Sequence, residues 1–95
     1  MEAERQGDLI ILTVRVPEPA LRDGYRLMLR GSKGHFRREL TGRDVIDRPE
    51  PGTVRYRWRP DPREGWSNHW RGILHSGMHT VVDYFVVPEA PDPAS

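Results

Sequence analysis

From Thr53 to Pro60 the chain reads Thr-Val-Arg-Tyr-Arg-Trp-Arg-Pro, so Val54, Tyr56 and Trp58 alternate strictly with Arg55, Arg57 and Arg59. A period of two fits only an extended strand, because successive side chains there point to opposite faces. The segment therefore has one aromatic-apolar face and one arginine face. Next-but-one residues on a strand stand roughly 6.6 to 7 Å apart. Three guanidiniums at that spacing call for acidic neighbours or an acidic partner.

The remaining chain is consistent with a small all-β protein. Leu9 to Val16 reads as a strand with Ile10, Leu12, Val14 and Val16 on one face. Leu9 and Ile11 make its first half apolar on both sides, so that half is central or covered. Pro17-Glu18-Pro19 stops it. Tyr25 to Arg30 and His35 to Leu40 flank Gly31-Ser32-Lys33-Gly34 as a predicted hairpin, with Tyr25, Leu27 and Leu29 facing inward. Thr41 to Gly52, with two glycines and two prolines, is predicted to be a loop that includes a short edge strand at Val45 and Ile46. Pro60 to Gly65 tolerates no regular element. Asn68 to His75 and Met78 to Val87 flank Ser76-Gly77 as a second hairpin. The sum is six or seven short strands with no long helix, the pattern of a small antiparallel β-sandwich.

Ninety-five residues suffice for one domain and one core. The expected division is an acidic N-terminal tail over residues 1–8, a single domain over 9–87 and a proline-rich acidic tail over 88–95. Each tail carries a net charge of −2, and the body carries +5. The basic residues are fourteen arginines and Lys33. Base composition of the genome is one explanation. The other is the planar five-donor fork of arginine, which suits carboxylate, phosphate and aromatic partners. A pI near 8.3 falls short of the basicity usual for a dedicated nucleic-acid domain. No apolar run reaches the ~18 to 20 residues of a membrane span, and the first residues lack the order of a secretion signal. A cytoplasmic location, or assembly into a larger particle, is expected.

Arg37-Arg38-Glu39-Leu40 after a hairpin, then Pro51-Gly52-Thr53-Val54-Arg55-Tyr56-Arg57-Trp58, then Ser76-Gly77 before the last strand carry a resemblance. The stretch from Gly31 to Tyr84 resembles bacterial immunoglobulin-like modules of the flagellar hook-capping and secretion-tail type. Those modules usually continue from the tryptophan into an Asp-Gly turn, where this chain has Arg59-Pro60-Asp61-Pro62. The resemblance implies an immunoglobulin-like sandwich and, by analogy, a bacterial or phage assembly role; fold alone does not fix function.

No catalytic constellation is expected. His69, His75 and His79 lie close in sequence, but the predicted hairpin points His75 and His79 to opposite sides and leaves His69 far along the strand. No Gly-x-Ser-x-Gly elbow is present, and Asp44 with Asp47, or Asp61 with Glu64, read as solvated loop charges. Gly31-Ser32-Lys33-Gly34 joins two strands and does not open a phosphate-binding helix. No metal or cofactor follows from these residues. The expected partner-binding residues are Arg55, Arg57 and Arg59, with Trp66, Trp70 and Arg71. Three readings compete for them. The leading one is a non-enzymatic interaction or structural module that binds an acidic protein or itself. The second is a carbohydrate-binding module that uses Trp66 and Trp70, and the third is a nucleic-acid binder that uses the arginine face.

Overall fold

The computed structural model describes residues 1–31, 37–59 and 69–88. They form eight strands in two antiparallel four-stranded sheets. In chain order these are β1 (Glu2–Gln6), β2 (Leu9–Arg15), β3 (Arg26–Gly31), β4 (Arg37–Leu40), β5 (Val45–Glu50), β6 (Thr53–Trp58), β7 (His69–Ser76) and β8 (His79–Val86). The first sheet runs β1-β2-β6-β5 and the second β4-β3-β7-β8. A six-residue helix, α1 (Glu18–Asp23), connects β2 to β3, and no helix among the described residues is long and apolar enough to cross a membrane.

Alternation along each strand decides what lies between the sheets. Ile10, Leu12 and Val14 of β2 stand opposite Trp58, Tyr56 and Val54 of β6, and all six are buried. Leu27 and Leu29 of β3, Leu40 of β4, Trp70 and Leu74 of β7 and Phe85 of β8 supply the other half of the same core. Trp58 links the halves. Its ring meets Trp70 edge-on at 4.5 Å and 78°, and Phe85 at 6.5 Å and 87°. Edge-to-face rings set the negative face of one π system against the positive rim of the next.

Several sequence expectations change here. Glu2–Gln6, expected in a tail outside the domain, pairs in register with Thr13 to Leu9 as an edge strand. The pairing covers the second apolar face of β2: Ile11, on the outer side, is only 5% exposed between Glu4 and Arg57. The segment expected as mostly loop before Thr53 contains β5, six residues long, with two register shifts against β6 and Pro49 on the sheet edge. An edge position tolerates proline because one side of the strand needs no donor. Pro17 and Pro19 do more than stop β2, since they open α1, where the first amides have no intrahelical partner. The tail from residue 89 onward lies outside the described residues.

Turn chemistry sets the final hairpin. Its central pair is Gly77-Met78, closed by Ser76 opposite His79, one residue later than the Ser76-Gly77 turn expected from sequence. Gly77 has φ 57° and Met78 a negative φ, the pattern of a type II′ turn, which places glycine first. The change moves each pairing by two positions and so preserves which side chains share a face. Gly72 of β7 meets a different demand: the Met1 side chain lies where a Cβ would stand. The Met1 amine reaches Asp83 of β8, and Arg5 Nε donates to the Pro88 carbonyl at 2.7 Å, which ties β1 to the flank of β8.

Tyr56 and Tyr25 share a hydrogen bond between phenol oxygens at 2.6 Å. Burial first, and that hydrogen bond second, push the Tyr56 phenol well above its ordinary value of 10.0. A raised folded-state pKa means that the native protein holds this proton where the unfolded chain releases it. Stability from this group is therefore present below pH 10 and declines as pH rises further. The thermal midpoint of the wild type is expected to fall between pH 10 and 11, and Tyr56→Phe to fall less steeply. Equal alkaline losses in both proteins would exclude this origin. Trp58→Ala is expected to cost about 3 to 5 kcal/mol in a urea melt, because it removes the ring that bridges the two sheets.

Candidate functional site

The three arginines of the central alternating segment face outward from the first sheet, and acids flank two of them. Arg55 Nη1 lies 3.1 Å from Asp47 Oδ2 of β5, the residue paired with it in register. Arg59 Nε lies 3.5 Å from Asp8 Oδ2. Arg57 is exposed, and the aliphatic stem of an arginine can cover an apolar neighbour such as Ile11 while its head stays in water. With Glu2 and Glu4 on β1, this face mixes both signs of charge. Two other acids, Glu39 and Asp83, are engaged elsewhere. Arg26 donates to both oxygens of Glu39, at 3.0 and 3.3 Å, and holds that carboxyl below its ordinary value. The terminal amine, as hydrogen-bond donor, does the same for Asp83.

Trp70 needs correction as a partner-binding residue. It is 4% exposed and packs against Trp58, because the alternation of β7 turns Trp70, Gly72 and Leu74 inward. Trp66 lies outside the described residues. Arg71, the next residue along β7 from Trp70, points outward.

Register assembles around Arg71 a constellation that chain order conceals. Arg71 pairs with Arg30 of β3, and Arg30 with Arg37 of β4; on its other side Arg71 pairs with Tyr84 of β8. Arg37, Arg30, Arg71 and Tyr84 thus form one row across four strands, on the outer face of the second sheet. At about 4.8 Å between strands the three arginines fall within about 10 Å. None of the three has an ion-pair partner among the described residues. Tyr84 is 70% exposed. The next row is Glu39, Met28, Ile73 and Val82, mostly apolar, and below the arginines His69 stands opposite Val86. A depression of about 330 Å³, lined by His69, Trp70, Arg71, Tyr84, Phe85 and Val86, lies at that end.

Like charges directly opposite on neighbouring strands oppose folding. Arg30 and Arg71 are such a pair, half-buried on both sides, so the row carries a local electrostatic cost. Arg30, Arg37 and Tyr84 were not singled out in the sequence. Their signal was present in part, since Arg30 alternates with Leu29 and Tyr84 with Phe85, but pairing them with Arg71 requires the sheet.

The remaining polar candidates have local roles. Asp44 caps the 3-10 turn Gly42–Asp44: its carboxylate accepts from the Thr41 amide at 2.9 Å. Asp44 and Asp47 therefore do not act as a carboxylate pair. His75 Nδ1 meets Thr80 Oγ1 at 3.1 Å on the outer face, while His79 sits opposite Ser76 on the inner side. Asp61 and Glu64 lie outside the described residues.

No protein-family model matches the chain, and no match was found among curated proteins or among solved structures.

Replacing Arg71 by threonine removes the charge opposite Arg30 and keeps a good strand former. The substitution is expected to leave stability unchanged or raise it by up to ~1 kcal/mol in chemical denaturation, with the gain shrinking in high salt. A clear loss would mean that Arg71 has a structural role.

Proposed function

We propose that this chain is a non-enzymatic protein-interaction module of a larger protein assembly, and that it meets an acidic partner on the outer face of the second sheet. One observation carries the proposal: three arginines from three adjacent strands stand in one row beside an exposed tyrosine, with no acid assigned to them among the described residues. Arginine and tyrosine are among the residues enriched where proteins bind proteins, and the apolar row beside them, half-buried at Met28 and Ile73 and exposed at Val82, offers area to bury. The sequence resemblance to assembly modules supports the same kind of role. Arg55, Arg57 and Arg59, the first choice from sequence, take second place because Asp47 and Asp8 already pair with Arg55 and Arg59.

The carbohydrate reading loses half its platform with Trp70 in the core. The nucleic-acid reading gains one observation, since Tyr84 beside Arg71 places an aromatic ring next to guanidiniums. Fluorescence anisotropy at low salt, with a labelled glutamate-rich peptide and a single-stranded oligonucleotide of equal charge, separates the two. The peptide is expected to bind. Arg71→Glu and Arg30→Glu should each weaken it at least about tenfold, equivalent to ~1.4 kcal/mol, through like charges across the contact. Arg57→Glu should change it little. Peptide binding that ignores Arg71→Glu would refute the assigned face, and tighter binding of the oligonucleotide would favour the nucleic-acid reading.

A further inference from the structure

A β-sheet edge exposes unpaired amides and carbonyls, and soluble proteins usually guard such edges with charge, proline, bulges or brevity. Three of the four edges here are guarded in those ways. β4 has four residues, of which Arg37, Arg38 and Glu39 are exposed. β1 carries Glu2, Glu4 and Arg5. β5 carries Asp47, Arg48 and Glu50, contains Pro49 and pairs irregularly. β8 differs from all three. It is eight residues long, its only acidic or basic residue besides His79 is Asp83, and Val82, Tyr84 and Val86 are 47%, 70% and 55% exposed.

The hairpin turn fixes which backbone groups of β8 are free. A two-residue turn makes Ser76 and His79 a hydrogen-bonded pair, and such pairs alternate along an antiparallel ladder. His79, Val81, Asp83 and Phe85 therefore bond to β7, while Thr80, Val82, Tyr84 and Val86 turn their amides and carbonyls to an edge that no strand among the described residues covers. Tyr84 bears this out, since its amide donates to the side chain of Asp83 at 2.9 Å. The same four residues carry their side chains on the outer face, and none of the four is charged. β1 lies against the flank of β8 but belongs to the other sheet and forms no ladder with it.

We propose that β8 pairs antiparallel with β8 of a second copy about a two-fold axis, joining the two second sheets into one eight-stranded sheet. An uncharged strip with free backbone groups is its own complement in that arrangement, and a two-fold contact uses the same surface on both copies. An acidic strand would find the cations near this edge already engaged, the Met1 amine by Asp83 and Arg5 by the Pro88 carbonyl, with Arg71 one strand away on β7. Only even-numbered residues face outward, so even residues pair with even ones. Asp83 opposite Asp83 would set like charges together, and the register that avoids this over the longest stretch puts Val82 opposite Val82 and Thr80 opposite Tyr84. In that register the Tyr84 amide exchanges the Asp83 carboxylate for the Thr80 carbonyl of the second copy. The two copies of Arg71 then lie three strand spacings apart across the sheet and four residues apart along it, roughly 19 to 20 Å in all, beyond the ~8 Å screening length at physiological salt. The arginine rows stay open, so the pairing is independent of the acidic partner.

Sedimentation equilibrium over the micromolar to sub-millimolar range, combined with amide hydrogen exchange, tests the pairing. The expected species has twice the 11.0 kDa chain mass, and the amides of Thr80 and Val82 should exchange more slowly as protein concentration rises. Val82→Lys sets two ammonium-bearing side chains at the axis on a pair with Cα atoms ~5.5 Å apart. It should weaken association at least about tenfold, while the near-ultraviolet dichroism of the tryptophans stays unchanged. Arg71→Glu should lose the peptide and keep the dimer. A monomer across the whole range, growth beyond two copies, a dimer indifferent to Val82→Lys, or concentration-dependent protection on β1, β4 or β5 in place of β8 would each overturn the proposal. The exchange measurement on the wild type reads the edge directly even where the variant fails to fold.

Discussion

Trp58 is the joint on which the two sheets depend. It lies on β6 in the first sheet, yet its ring contacts are Trp70 and Phe85 of the second. A chain of this size has one core and little area to spare, so a side chain that buries about 150 to 250 Å² between the layers contributes disproportionately to holding them together. Its position at the end of β6 also fixes the depth of the sandwich: Ile10 sits opposite it in register, and Val54 and Tyr56 follow at even spacing. With these three aromatic rings turned inward, the outer faces carry arginine, acids and smaller apolar residues, with Tyr84 an exposed aromatic on the second sheet.

Those two outer faces differ in how charge is compensated. On the first sheet, Arg55 pairs with Asp47 of β5 and Arg59 with Asp8, and exposed pairs of that kind contribute little to stability, about 0 to 1 kcal/mol each. They serve more to keep the face soluble and mixed in sign. On the second sheet, Glu39 is taken by Arg26 and Asp83 turns toward the inner side, so the row of Arg37, Arg30 and Arg71 is left without acids among the described residues. The apolar row of Met28, Ile73 and Val82 next to it combines burial with charge on a single surface.

The fold was legible in sequence wherever alternation was clean. Leu9 to Val16, Tyr25 to Arg30 and Thr53 to Arg59 each showed one apolar face, and the all-β class with two hairpins followed. Alternation failed at the edges. Glu2–Gln6 has no apolar face to display because it shields β2 and buries little of its own, and β5 is broken by Pro49 and two register shifts. Both are edge strands, where polar residues are tolerated and the hydrophobic signal vanishes. Trp70 was ambiguous because a tryptophan between polar neighbours fits a core position or a binding platform equally well, and only the burial of Gly72 and Leu74 beside it decides between them.

Sequence by itself determined the strands and their faces, because a period of two is a local property of the backbone and each residue carries its own polarity. It determined the tight turns in part, since a positive φ demands glycine at a given position while leaving the loop's placement free by a residue. The tertiary structure alone decided which strands became neighbours. Arg30, Arg37 and Arg71 are scattered along the chain and form a row only through two ladders. β8, apolar on both faces, could have been a central strand, and only the strand order left it at an edge. Neighbourhood across a sheet is a non-local quantity, set by which strands bury their apolar faces best together, and no window along the chain contains it.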